Sequence, residues 1–161
     1  MARLTGISKN LSAFLDMVAE SEIGIPLLSV SDDGYNVVVG STPAHPNLFP
    51  RYTEHPHELV HLSASLASSA AGRYQLLGKY YDAYKVSLHL PDFSPESQDK
   101  IAIQQIRECH ALPDIEAGRI SLAIEKCSHI WASLPGAGYG QHENKLTSLL
   151  AAYQAAGGAV V

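Results

Sequence analysis

From Gly72 onward the chain is punctuated as a series of helices, and the stretch before it is not. That contrast limits the fold more than any other feature. The segment SPESQDKIAIQQIRECH opens with Ser94 at the N-cap and Pro95 at the first helical position, where a missing N–H costs nothing. RISLAIEKCSHIWASL follows Gly118 and stops at Pro135-Gly136, and QHENKLTSLLAAYQAAGG ends in a Gly-Gly pair suited to a left-handed cap. GRYQLLGKYYDAY predicts one further helix. At the other end, Leu11, Phe14, Leu15 and Val18 recur at helical spacing and predict an amphipathic helix over residues 10–21.

Between these lies a different texture. Pro26 and Gly34 interrupt IGIPLLSVSDDGYNVVVGS, and Tyr35 to Val39 are mostly β-branched or aromatic, so turns and short strands are expected. Residues 41–70, rich in Pro, His, Ser and Ala, read as a long irregular segment of the kind that carries function. The pattern predicts an α+β domain: a helix, a small strand-containing lobe over about 22–70, and a helical lobe over about 71–158. At 161 residues the chain is long enough for one domain spanning 1–161, and a cleft between two lobes is a natural ligand site.

Charge and composition remove several function classes. A net charge of −5 with no Lys/Arg cluster argues against nucleic acid. No stretch reaches the roughly 18 to 20 apolar residues of a membrane span, and no secretory signal is visible at the N-terminus. Cys109 and Cys127 are too few and too isolated for a disulfide scaffold or a CxxC metal site, and are expected as reduced helical cysteines.

One string points to metal chemistry. HPHELVH contains His57-Glu58-Leu59-Val60-His61, a full match to HExxH. On a helix, His57 and His61 would share a face and ligate Zn²⁺, with Glu58 as general base. A third ligand is needed, and the extended pattern would require Gly and His where the chain has Ala64 and Ala67. Glu96 and Glu108 sit in no recognisable ligand motif. Pro56 precedes His57 and a small-residue run follows, so any helix there is short. His55, His57 and His61 are therefore expected as solvated loop or helix-start residues, and no metal site is assigned.

A carboxylate at the end of the first helix carries more weight. Helical geometry places Glu22 near the middle of the sector formed by Leu11, Phe14, Leu15 and Val18, with Glu20 about 180° away. Burial and the negative end of the helix dipole would both oppose ionisation of Glu22 and raise its pKa. A glutamic acid protonated near neutral pH suits general-acid cleavage of a glycosidic bond. Fraying of the helix before Glu22 would instead leave the side chain wet.

The strings AFLDMVAESE, GYNVVVG, AGRYQLL, DFSPESQD, ALPDI and IWASLPGAGYGQ together resemble the phage lambda-type endolysins, lytic transglycosylases of lysozyme-like fold. The resemblance runs in order from about residue 10 to 158. It implies cleavage of the β-1,4 bond between N-acetylmuramic acid and N-acetylglucosamine in peptidoglycan, leaving 1,6-anhydromuramic ends without metal or other cofactor. The family's catalytic acid falls on Glu22. Its GRYQ element, on a helix bordering the cleft, falls on Gly72, Arg73, Tyr74 and Gln75. Its GAGYGQ loop falls on Gly136 to Gln141. Tyr35, Arg73, Tyr74, Gln75, Gly138, Tyr139 and Gln141 are the substrate-binding candidates this gives. For Trp131 and Tyr80, Tyr81 and Tyr84, core packing is favoured over sugar contact.

The chain also departs from the pattern. Ile23-Gly24 stands where a family member has Gly-Thr after the catalytic Glu, the loop between Gly40 and Tyr52 is longer, and Asn36 replaces an Asp. The remaining carboxylates for a hydrolytic partner are Asp32 and Asp33, in an SDDG segment expected to be a solvated turn. The resemblance further implies a monomer acting on glycan strands, with no stable membrane association. It would accumulate in the host cytoplasm and depend on a holin to reach the wall in the periplasm. Rival readings are a hydrolytic lysozyme on the same fold and a catalytically silent wall-binding module.

Overall fold

The computed structural model describes residues 1–138 and 143–161. Its contacts divide the chain into two compact units, one formed by Met1–Glu22 with Ala102–Val161, the other by Ile23–Ile101. The strand-bearing unit thus runs on well past residue 70. The division between Ile101 and Ala102 falls within helix α4 (Pro95–Glu108).

The first unit is helical. Helix α1 (Lys9–Ile23) covers the expected 10–21 and does not fray before Glu22. Its apolar surface is wider than the predicted stripe, because Ala13, Met17 and Ala19 are as fully buried as Phe14, Leu15 and Val18. A helix apolar on nearly every side is a core element rather than a surface one. Its start is tied down by Asn10 Nδ2, which donates to the carbonyls of Ile115 (3.2 Å) and Glu116 (3.3 Å). Helices α4 (Pro95–Glu108), α5 (Leu112–Glu116), α6 (Ile120–Cys127) and α7 (Leu146–Ala155) supply most of the remaining core, including Ile106, Ile115, Ile120, Ile124 and Tyr153. The predicted α6 is shortened, since the chain turns after Cys127 instead of continuing to Leu134. Likewise α7 begins at Leu146, not at residue 141. Trp131 is buried as expected, and Cys109 and Cys127 are buried free thiols, both pushed up in pKa by burial.

The second unit holds two small antiparallel sheets. Strands β1 (Val60–His61) and β2 (Ala67–Ser68) pair as Val60 with Ser68 and His61 with Ala67. Strands β3 (Ala70–Ala71) and β4 (Leu76–Leu77) pair as Ala70 with Leu77 and Ala71 with Leu76. The expected strand at Tyr35–Val39 is reduced to single bridges, Val37 to Leu48 and Val38 to Ala71. A short helix, α2 (Ile25–Ser29), forms where turns and strands were expected. Pro26 lies in its first turn, where proline starts a helix rather than breaking one. The core of this unit is Val38, Phe49, Ala71, Leu76, Tyr81, Leu90, Phe93 and Ile101. Tyr81 is buried within it and Tyr84 packs against it, whereas Tyr80 is exposed, contrary to expectation.

GRYQLLGKYYDAY is not one helix. Only α3 (Gly78–Ser87) is helical, and residues 72–75 are the tight turn joining β3 to β4. Two left-handed residues make that turn, Gly72 at φ 81° and Gln75 at φ 48°. The turn is clamped from α4 by Gln98. Its Oε1 accepts from the Arg73 amide at 2.9 Å, and its Nε2 donates to the carbonyls of Tyr35 (3.0 Å) and Phe93 (2.9 Å). A Cβ on Gly72 would lie 2.3 Å from Gln98 Oε1 and 3.0 Å from Phe93 Cζ. Gly72→Ala should therefore cost about 2–5 kcal/mol, adding a left-handed alanine to an overpacked contact. Denaturant unfolding measures this; a loss below about 1 kcal/mol would show that Gln98 swings aside freely.

Candidate active site

Glu22 occupies the last turn of α1, half-buried, with its side chain engaged by the segment that follows α6. Ser133 Oγ donates to Glu22 Oε1 at 2.5 Å, and the Ser133 amide points to the same oxygen at 3.4 Å. Burial raises the pKa of this carboxyl, and the two Ser133 hydrogen bonds offset only part of that rise. The shift has the direction expected from the sequence, and burial is its first cause. Glu20 is partly covered too, so exposure does not separate the two glutamates. Partnership does: the Glu20 side chain makes no hydrogen bond among the described residues, and the Glu22 carboxyl accepts two.

Ser133 is itself held. Its hydroxyl lies 2.7 Å from Ser21 Oγ, and its carbonyl accepts from the Asn144 amide at 2.8 Å. Asn144 Nδ2 donates to Ser21 Oγ at 3.0 Å and to the Ser21 carbonyl at 3.2 Å. Close by in sequence, Glu143 receives the amides of Gly136 and Gly138, each at 2.9 Å, and those bonds hold its carboxyl below the usual range. Gly138, a predicted substrate residue, is exposed with φ 72°. Tyr139 and Gln141 lie outside the described residues. Sequence reasoning missed Ser21, Ser133, Glu143 and Asn144. A serine or an asparagine in a turn carries no pattern, and only the fold brings them to Glu22.

The remaining predicted residues lie in the second unit and behave differently from expectation. Tyr35 and Tyr74 are buried, and their phenols donate to the buried carboxylate of Asp99 at 2.8 Å and 2.6 Å. Burial, and then the charge of Asp99, raises both phenol pKa values. Arg73 is 1% exposed, its guanidinium 5.1 Å from the centre of the Tyr35 ring. These three are therefore enclosed and committed to protein partners, while Gln75 alone of the set is partly exposed, with Nε2 donating to the Gly72 carbonyl at 2.9 Å.

Asp32 and Asp33 stand in a turn, as expected, but the turn is partly covered and both carboxylates are engaged. Asp32 accepts the Tyr52 phenol at 2.5 Å, and Asp33 pairs with Arg73 at 2.7 Å while its carbonyl accepts a second bond from the same guanidinium. Partial burial acts to raise the Asp33 pKa, but hydrogen bonding and nearby positive charge, Arg73 included, carry it below the usual value.

The HELVH string is not helical. His57 has φ 51° and Val60–His61 is strand β1, so the one-face arrangement that HExxH needs is not built. His55 is not solvated either. It is 2% exposed and sits 4.8 Å from the Phe93 ring and 5.6 Å from the Tyr81 ring. Its Nε2 lies 2.9 Å from the Leu76 carbonyl and its Nδ1 accepts the His57 amide at 3.0 Å. His57 is an exposed partner of Asp82 at 3.3 Å.

Comparison with known proteins follows the same residues. The sequence matches the family model described as Endolysin over residues 12–160. It is 51% identical to the endolysin of Escherichia phage lambda over 155 residues, covering 96% of this chain and 95% of that protein. It is 46% identical to the endolysin of Escherichia phage P2 over 155 residues, 93% of this chain and 94% of that one. The fold matches bacteriophage lambda lysozyme complexed with a chitohexasaccharide at a TM-score of 0.91 and 50% identity, covering 98% of this chain and 100% of that one. A second lambda lysozyme structure matches at a TM-score of 0.87 and 49% identity, with coverage of 98% and 100%. The architecture is thus α+β and lysozyme-like.

Since His57 and His61 are not presented on one helical face, chelation should not matter. Lytic activity on isolated sacculi is expected to survive EDTA unchanged; loss with EDTA and recovery with Zn²⁺ would overturn that.

Proposed function

The chain belongs to the endolysin family, and from that premise we propose that it degrades peptidoglycan as a lytic transglycosylase, with Glu22 as general acid and then general base. The observation that carries this reading is the half-buried Glu22 carboxyl, raised in pKa by burial and engaged among the described residues by Ser133 alone. A raised pKa favours the protonated form, the one that delivers a proton to the bridging oxygen of a β-1,4 glycosidic bond.

Most glycoside hydrolases use a second carboxylate to place water or to attack the anomeric carbon. The nearest candidates in sequence, Asp32 and Asp33, are already taken by Tyr52 and Arg73. In the single-acid scheme Glu22 protonates the leaving oxygen as the C1–O bond breaks. The C6 hydroxyl of the same muramic acid then attacks C1, and its proton returns to the Glu22 carboxylate. An intramolecular nucleophile has a high effective molarity, so the protein's task is orientation. Gln75, Gly138, Tyr139 and Gln141 are proposed to face the glycan. Tyr35, Arg73 and Tyr74 would act at one remove, by holding the turn that carries Gln75. The chitohexasaccharide bound by the lambda lysozyme supports a β-1,4-linked N-acetylhexosamine strand as ligand.

The whole of 1–161 is proposed as one catalytic unit, monomeric in action and metal-independent. No helix of the described residues is long and apolar enough to cross a membrane. Cytoplasmic accumulation, release by a holin and action on the wall from the periplasm complete the proposed role.

Glu22→Gln should abolish clearing of a peptidoglycan suspension while leaving the melting curve intact. General acid catalysis by itself is worth about 10² to 10⁴ in rate, and Glu20→Gln should stay near wild type. Equal losses from both would contradict the distinction drawn from their partners. The products provide the second test. Digestion should release muropeptides with 1,6-anhydro ends that resist borohydride. Borohydride-reducible muramic acid appearing with each bond cut would assign hydrolysis instead.

A further inference from the structure

We propose that Ser133 is a positioning residue for Glu22, and that Asn144 and Ser21 fix the direction of its hydrogen bond so that the acid's proton resides on Oε2. The proposal rests on Glu22 being the catalytic acid.

The direction follows from donor and acceptor accounting at both ends of the chain of bonds. Asn144 Nδ2 lies 3.2 Å from the Ser21 carbonyl, which can only accept, so this side-chain atom is the amide nitrogen and not the oxygen. The same nitrogen reaches Ser21 Oγ at 3.0 Å and therefore donates to it. Ser21 Oγ, having accepted, directs its own hydrogen to Ser133 Oγ at 2.7 Å. Ser133 Oγ in turn directs its hydrogen to Glu22 Oε1 at 2.5 Å. At the far end the Ser133 amide also points at Oε1, at 3.4 Å, and an N–H can only donate. Oε1 thus receives two donors and has no place for a proton of its own. If the proton sat on Oε1, the Ser133 hydrogen would have to turn toward Ser21. Ser21 Oγ would then accept twice, and its own hydrogen would lose the acceptor it has among the described residues.

Each bond in such a series polarises the next, and a hydrogen bond to a charged acceptor is stronger than one between neutral groups. The series therefore stabilises the carboxylate that remains once the proton has left, which is the form that must later act as base. Charged groups nearby do not do this. Asp16 and Glu20 on α1, and Glu143 and Lys145 beside Asn144, make no hydrogen bond to Glu22 among the described residues, and Glu143 is occupied by Gly136 and Gly138.

The test is the pH–rate profile of peptidoglycan clearing, whose alkaline limb reports ionisation of the general acid. Losing a hydrogen bond to the ionised form raises the pKa, so Ser133→Ala should move that limb up by about one pH unit. Ser133→Thr, which keeps the hydroxyl, should restore it. Ser21→Ala and Asn144→Ala should each move the limb the same way by less, and neither should add to the shift in a Ser133→Ala background. Titration of the ¹³C-labelled Glu22 carboxyl by NMR reads the same shifts in variants too slow to assay. If Ser133→Ala does not fold, Asn144→Ala carries the test, because its backbone bond to the Ser133 carbonyl remains. An unmoved limb and an unmoved carboxyl titration, or additive shifts in the double variants, would overturn the proposal. An active Glu22→Gln would instead overturn the acid assignment on which it rests. An inactive Glu22→Gln beside an unmoved Ser133→Ala profile would reject the serine's role alone.

Discussion

Burial of α1 on nearly every side is the constraint from which the candidate site follows. A helix with Ala13, Phe14, Leu15, Met17, Val18 and Ala19 all withdrawn from solvent cannot rotate or slide without opening the core. Whatever stands in its last turn is fixed to the same degree. That residue is Glu22, and the core that holds the backbone also removes water from the carboxyl and raises its pKa. Packing and acidity are thus one property seen at two scales. Ser133 then moderates the effect, because a carboxyl with no donor would resist ionisation even when its proton is needed elsewhere.

The strand-bearing unit solves a different problem. Its strands are two residues long and its sheets two strands wide, too little to define a shape by backbone pairing. Buried polar groups supply the definition. Asp99 collects two phenols, Gln98 joins three backbone positions, and Arg73 pairs with Asp33 over the Tyr35 ring. Each group has geometry that only one arrangement satisfies, and an unsatisfied partner would be costly at such depth.

These two ways of building explain what could be read from the sequence. Helical periodicity and end signals located α1 and α4 to within a residue or two, because the spacing of apolar side chains is itself the cause of burial. The partial burial of Glu22 was legible for the same reason, although that of Glu20, on the opposite face, was not. The turn at 72–75 was not, since Arg73 and Tyr74 look like helix formers until Gly72 takes φ 81° and Gln98 clamps their backbone. Tyr35, Arg73 and Tyr74 carried the right strings for family membership, yet they are enclosed: a string can mark a fold by its interior. His55 repeats the lesson, as a histidine in a metal-like string whose ring serves as packing between Tyr81 and Phe93. The bonds that Ser133 and Asn144 make left no trace, because long-range hydrogen bonds have no period along the chain.

Glu143 and Asn144 brace different parts of the turn that follows α6, the first through the amides of Gly136 and Gly138, the second through the Ser133 carbonyl. A change at Glu143 that frees the two glycine amides therefore leaves the Asn144 bonds to Ser133 and Ser21 in place. Bracing of the glycine turn and bracing of the serine beside the acid are therefore separable in this chain, and the separation is made by two adjacent residues that face different tasks.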